Sequence, residues 1–445
     1  MARFDLPKQI IGALRRLEVA GHAAYLVGGC VRDMVMGKAP HDWDAASSAT
    51  PEQVARLFRK TVMTGERFGT VKVPLPGFAV PAAGWSEAVE PGAFYLRRAE
   101  DTGLPAADNC FSVEVTTFRT DGEYRDGRHP ENVAFTSRLR EDLSRRDFTM
   151  NAMAMSVDGG LIDPFSGWAD IEKRVIRCVG DADTRFKEDA LRMFRAYRFS
   201  AELGFEIEPQ TLSAIGANAG GAHKISAERI RAELEKTLVS QRPEIAGEII
   251  SAGLLARFLT GFAGELIAEP FSRARTAAGK TDAQFAALCW CVFTSALLGT
   301  GAIQSASDFL HAMKLDSKTI RDVTAGTEIL IEGFPSGHAE IKRLMSTHGK
   351  DAVLCAAVCL GDAALSETEA VIASGECYSI HGLAVSGRDL IALGHQPGRE
   401  LGETLRRLFD HVVEHPKDNI REILLKLALS QAGIKSQTGG NTETE

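Results

Sequence analysis

The strongest constraint on the fold is a change of period partway along the chain. Up to about residue 155, apolar residues come in short runs bounded by Gly or Pro and rich in Val, Thr and aromatics: AAYLVGG, GTVKVPL, FSVEVTTFR and AMAMSVDGGLIDP. Runs of this kind form strands. From about residue 166 the spacing turns helical and stays so to about residue 430. DTRFKEDALRMFRAYRFSAEL is one such stretch; SAERIRAELEKTLVS is another, with Ser226 placed as an N-cap and Glu228 in the first turn. The pattern predicts an α+β head, with helices on a mixed or antiparallel sheet, followed by an all-α remainder. The N-terminal MARFDLPKQIIGALRRLEVAGHAAYLV reads as an amphipathic helix feeding a strand, with charges too frequent for a signal peptide.

With 445 residues, 44% of them hydrophobic, the chain can bury a large core. Its net charge is −8; residues 1–200 balance, so the whole excess lies in 201–445. A nucleic-acid partner would therefore need a local basic surface rather than a basic protein. The eight cysteines are scattered, with no CxxC and no zinc spacing, and read as buried, reduced thiols of a reducing compartment. Residues 283–307 carry no charge and are long enough to span a bilayer. Gln, Ser and Thr interrupt them, and Gly299 and Gly301 break their end, so the expectation is a buried helix, no membrane and a cytoplasmic protein.

Four motifs carry chemistry. DWD places Asp42 and Asp44 two residues apart, which on a strand puts both carboxylates on one face. Unpaired, they repel; a divalent cation such as Mg²⁺ removes the conflict and leaves room for phosphates. Glu114, in VEVTTF, is the candidate third carboxylate. Upstream, Gly28 and Gly29 let backbone N–H groups approach a triphosphate, and Arg32 can grip its oxygens. In EDLSRRDFTMNAMAM, Arg146 is a second phosphate clamp. In EDALRMFRAYRF, Asp189 and Arg192 stand at i and i+3 of an expected helix face, an acceptor beside a donor fork that suits the Watson–Crick edge of cytosine or adenine. Arg195 and Arg198 continue the series and can reach phosphate or RNA. Each motif alone reads more simply as a turn, a local ion pair or a solvated face; a strand, GG, Arg and DxD in close succession is far more specific.

Together with GERFGTVKV, LIDPFSG, ISAERIRAELEKTL and the C-terminal VSGRDLIALGHQPGRELGETLRRLFDHVVEHPKDN, these stretches resemble, in order, the motifs of the bacterial class II tRNA nucleotidyltransferase/poly(A) polymerase family. The tail is similar to that of its CCA-adding members. The resemblance implies a nucleotidyltransferase head over 1–155 with a Pro-rich insertion at about 76–109. It further implies a nucleotide-selecting helical neck over 156–240, a helical body over 241–350, a tRNA-binding tail over 351–435 and a disordered end over 436–445. It implies Mg²⁺ on Asp42 and Asp44 with Glu114 in support, and nucleotide contacts from Gly28, Gly29, Arg32 and Arg146. Asp189 and Arg192 would select C and A, with Arg195 and Arg198 lining the nucleotide site.

The implied reaction is template-independent addition of C, C and A to the 3′ end of tRNA from CTP and ATP, in a monomer or homodimer whose body and tail grip the acceptor arm. The stretch SATPEQVARLFRKTVMTGERFGT corresponds to the loop linked in this family to the switch from C to A addition, which argues against a CC-only enzyme. Three alternatives remain: A- or CC-adding enzymes, a bacterial poly(A) polymerase, and a tRNA-binding chaperone with a dead site. Two features depart from the family pattern. Trp43 replaces the usual aliphatic residue between the aspartates, in a position expected to face the core, and the Pro-rich insertion is longer than the usual hairpin. No HD-type phosphohydrolase motif follows residue 350.

Overall fold

The computed structural model describes residues 3–65, 69–75, 111–121, 133–279 and 281–431. The expected insertion at 76–109, three residues of the GERFGT loop (66–68) and the expected disordered end lie outside the described residues. The chain divides into two compact units. The first holds residues up to Glu233 plus Glu248–Leu255, and the second holds Leu234–Gly247 and the residues from Ala256 on.

In the first unit, α1 (Lys8–Val19) buries Ile10, Ala13, Leu14 and Leu17, the apolar stripe of an amphipathic helix, and leads into β1 (Ala24–Val27). A left-handed glycine starts α2 (Gly29–Val35), which is followed by β2 (Trp43–Ser47) and α3 (Pro51–Leu57). Thr50 and Gln53 close a capping box at the start of α3, and Pro51 sits where its missing N–H costs nothing. Next come β3 (Val62–Gly65), β4 (Thr70–Leu75), β5 (Phe111–Thr117), the antiparallel pair β6 (Arg119–Asp121) and β7 (Val133–Phe135), α4 (Leu139–Ser144), β8 (Ala154–Met155) and β9 (Leu161–Ile162). The main sheet runs β3-β4-β5-β2-β1-β8-β9. It is mixed: β2 and β5 pair in parallel and their neighbours antiparallel. Trp43, Ala45, Val71, Val73, Val113 and Val115 are buried on one face, so Trp43 sits in the core as expected.

The helical half of this unit holds α5 (Gly167–Glu172), α6 (Ala182–Glu188), α7 (Leu191–Leu203), α8 (Pro209–Asn218) and the start of α9 (Ala227–Leu238), with a two-stranded parallel pair, β10 (Val175–Ile176) and β11 (Glu206–Ile207). α9 begins directly after Ser226.

The second unit is built from helices: α10 (Ile245–Ser251) begins here, and α11 (Glu269–Ala277), α12 (Asp282–Gly299), α13 (Ala306–Ala312), α14 (Ser317–Glu332), α15 (His338–His348), α16 (Lys350–Leu360), α17 (Asp362–Ala373), α18 (Gly387–Ala392), α19 (Arg399–Glu414) and α20 (Arg421–Gln431) follow. α12 is long and apolar enough to cross a bilayer by length and composition. It instead packs against α14 and α16, with every residue from Leu288 to Thr294 buried. Its Trp290 indole donates to a Glu235 carboxylate at 2.9 Å, a polar partner suited to a protein interior. Gly326 lets α14 approach α16 closely: a Cβ there would lie 2.7 Å from Cys355 Cβ. The seven described cysteines are free thiols, six of them buried, and burial pushes Cys30, Cys178 and Cys289 up to about 12. Those three stay as thiols at neutral pH.

Candidate active site

The face of the sheet opposite Trp43 carries the acids. Register places Asp44 of β2 beside Glu114 of β5, and Glu114 beside Lys72 of β4. Neighbouring strands are about 4.8 Å apart, so three charged side chains form one row across three strands. All three are half-buried, between the fully buried residues of the other face. Asp42 lies one residue before β2 and is exposed; the pair is brought together at a strand entrance rather than within a strand. Among the described residues, the carboxylates of Asp42, Asp44 and Glu114 accept no hydrogen bond and enter no ion pair within about 4 Å, the reach of a salt bridge. Burial raises the Asp44 carboxyl above the usual range; the Arg146 charge lowers it, and the Glu114 and Asp42 charges push it up again. The three acids therefore sense one another.

The glycine turn adjoins this row. Gly28 has φ +76°, and a Cβ there would lie 3.1 Å from Arg146 Nη1 and 3.7 Å from an Asp44 carboxylate oxygen. A side chain at 28 would be strained and would fill the space between cation and acid. Gly29 lies under Arg32, whose Nη2 would stand 3.8 Å from a Cβ there. Arg32 bonds Asp33 and donates to Asn151 Oδ1 at 3.1 Å. Arg146 donates to Asp142 at 3.2 Å, but its Nε is buried without a partner. The donor set fits a divalent cation: hard carboxylate oxygens, one pushed up by burial and by its acidic neighbours, beside the glycine turn. Among the described residues, no three His, Cys, Asp or Glu side chains form a ready-made metal cage. A cation here would complete its shell with water and substrate phosphate, as Mg²⁺ commonly does.

The neck residues are placed differently from the expectation. The helix expected through 183–203 breaks at Asp189–Ala190. Asp189 is the extended residue ending α6, and α7 starts only at Leu191. Asp189 and Arg192 therefore do not share a helix face. The physical reason is local: the Asp189 carboxylate accepts from Leu191 N at 3.0 Å and from Arg229 Nη2 at 2.8 Å, capping the second helix from outside. Arg192 is 8% exposed and donates to Glu188 at 2.6 Å and to the Arg145 carbonyl at 3.0 Å. Arg195 binds Asp147 at 2.7 Å. Arg198, also 8% exposed, binds Glu233 at 2.6 Å and Glu202 at 2.8 Å, with its guanidinium 4.0 Å from the Phe199 ring centroid. In this structure Arg198 is thus buried and paired, where the expectation has it reaching phosphate or RNA. Burial would raise the Asp147 carboxyl, yet Arg195 and Arg192 bring it down to about 2.

The sequence reading missed Asp147, Arg229, Glu233 and Lys72. All four lie inside motifs singled out for other residues, so the signal was adjacency. The ion-pair partners of the first three are 35 to 48 residues away along the chain, and that pairing is not visible in sequence.

Similarity to known proteins agrees with this geometry. Residues 24–78 and 96–177 match the profile described as Poly A polymerase head domain. Two further profiles match residues 204–263, for an RNA-binding segment of polymerase A, and 283–428, for domain 2 of tRNA nucleotidyltransferases. A CCA-adding enzyme of Geobacillus kaustophilus is 36% identical over 432 residues, 93% of this chain and 95% of that one. One of Lactiplantibacillus plantarum is 35% identical and covers 98% of both chains. The solved structure of the Bacillus stearothermophilus CCA-adding enzyme in complex with CTP superposes with a TM-score of 0.69 at 31% identity, covering 96% of this chain and 97% of that one. Sheet, glycine turn, acid row and whole-length similarity agree: this chain belongs to the family of bacterial CCA-adding enzymes.

Proposed function

We propose that this protein adds C, C and A to the 3′ end of tRNA, taking CTP and ATP and releasing pyrophosphate, in the cytoplasm. What supports the reading most directly is the acid row, without a partner among the described residues, beside Arg146 and Gly28. Asp42 and Asp44 would hold Mg²⁺, with Glu114 as the supporting carboxylate. When bound, the ion lowers the pKa of the attacking 3′-hydroxyl and neutralises charge on the α-phosphate. The chain's own part is positioning. Gly28 and Gly29 admit the triphosphate to the backbone, and Arg32 and Arg146 hold its oxygens. Asp189, held by Arg229, and Arg192, held by Glu188, present an acceptor and a donor to the incoming base, selecting C and A over U and G. Arg195 and Arg198 fix that reading surface from behind. Residues 156–240 would serve as neck, 241–350 as body and 351–435 as tail, the last two gripping the acceptor arm. The relatives compared above are all CCA-adding enzymes, which favours this activity over poly(A) synthesis.

The test is direct. Purified protein is incubated with tRNA transcripts ending in the discriminator base, in C or in CC, with CTP and ATP separately and together, and the 3′ ends are sequenced. Completion of all three to CCA is expected. Extension by A alone, by CC alone or by long A tracts would replace the reading with one of its rivals.

A further inference from the structure

We infer that Lys72 binds the backbone phosphate at the 3′ end of the acceptor RNA and so positions the attacking strand. The inference rests on the activity proposed above and deepens it. The acid row has two distinct ends. On the β1 side of Asp44 stand Gly28, Gly29, Arg32 and Arg146, the groups that receive a triphosphate. On the other side, past Glu114, stands Lys72, in register with Glu114 on β4. In a phosphoryl displacement the attacking and leaving oxygens lie roughly in line through the phosphorus. If the leaving pyrophosphate occupies the glycine–arginine side, the nucleophile approaches over Glu114 from the β4 side. Lys72 stands there, about two strand spacings or about 10 Å from Asp44.

Its environment suits a phosphate ligand. Alternation along β4 buries Val71, Val73 and Leu75 and leaves Lys72 half-exposed on the acid face. Farther along that face Thr70 and Thr116 satisfy each other across the strands at 3.1 Å. Lys72 makes no hydrogen bond or ion pair among the described residues, even though Glu114 is its direct neighbour. An ammonium held on a strand beside an acid without bonding it is available to an anion, and a lysine binds phosphate as a point charge.

Steady-state extension by wild type, Lys72→Gln and Lys72→Arg tests this, varying tRNA at saturating nucleotide and then nucleotide at saturating tRNA. The glutamine variant should raise KM for tRNA about tenfold, leave KM for CTP and ATP within about twofold, and flatten the slope of log KM for tRNA against log salt by about 0.7 to 1. The arginine variant should recover most of the loss, because it retains the charge. Three results overturn the inference: an unchanged KM for tRNA with an active wild type, a rise confined to the nucleotides, or an arginine variant as impaired as the glutamine one. A wild type that extends no tRNA removes the activity reading and this inference with it.

Discussion

The acids of the head and the arginines of the neck follow opposite electrostatic plans. In the head, Asp42, Asp44 and Glu114 stand together without a hydrogen-bonded partner among the described residues, and burial together with the charges of Glu114 and Asp42 raises the Asp44 carboxyl. In the neck, each guanidinium is closed by acids or carbonyls: Arg192 by Glu188, Arg195 by Asp147, Arg198 by Glu233 and Glu202. Open charge destabilises the free protein and is relieved by a bound cation or by protonation. Closed charge sets a shape before any ligand arrives. On the proposed function, the first region carries the chemistry and the second the template geometry.

Removing Asp44 should break the contrast most visibly. Asp44→Ala is expected to cut kcat about 10²- to 10³-fold. Because the lost carboxylate was repelled by its neighbours, the melting temperature should hold or rise; a marked fall would mean the head is closed after all. The neck should respond in the reverse sense. Glu233→Ala leaves Arg198 underpaired and should cost about 3 kcal/mol of stability. The exposed pair Arg399–Glu403 should contribute under about 1 kcal/mol. Denaturant midpoints for Glu233→Ala and Glu403→Ala measure the gap, and equal losses would sink the idea of a rigid neck.

Acid titration sharpens the same comparison by sign. The Asp147 carboxyl is held down to about 2, so the unfolded chain takes its proton first. Its contribution, about 2 kcal/mol, is whole above about pH 5 and fades as the pH falls through about 4 toward about 2. Asp147→Asn should flatten the stability curve in that window. Asp44, with its raised pKa, acts oppositely: folding gains as the pH falls through it, and Asp44→Asn should erase that gain. The smallest expected effect is at Arg229→Ala, which frees Asp189. It should reduce the preference for CTP over UTP by about 1 kcal/mol, several-fold in kcat/KM. Unaltered selectivity would remove Arg229 from the template.

Much of the head was readable from residue order because its signals are local. Alternation located β1, β4 and β5, and the stripe of Ile10, Leu14 and Leu17 located α1. The DWD and GG motifs located the site. The break at Asp189 was not readable, since EDALRMF has helical spacing and only the Arg229 bond and the Leu191 N–H reveal that Asp189 stands outside the helix. Nor was burial of Arg198, because an arginine every third residue looks like a solvated face until Glu233 arrives from another helix.

Sequence by itself determined the class of fold, the acid pair, the glycine turn and the family, all of which depend on residues within a few positions of one another. Tertiary structure decided the rest: that β5 lies parallel to β2 and brings Glu114 to Asp44, that Lys72 ends the row, and which acid closes each arginine. Strand register and long-range ion pairs depend on how distant segments pack, and local spacing carries no record of that choice.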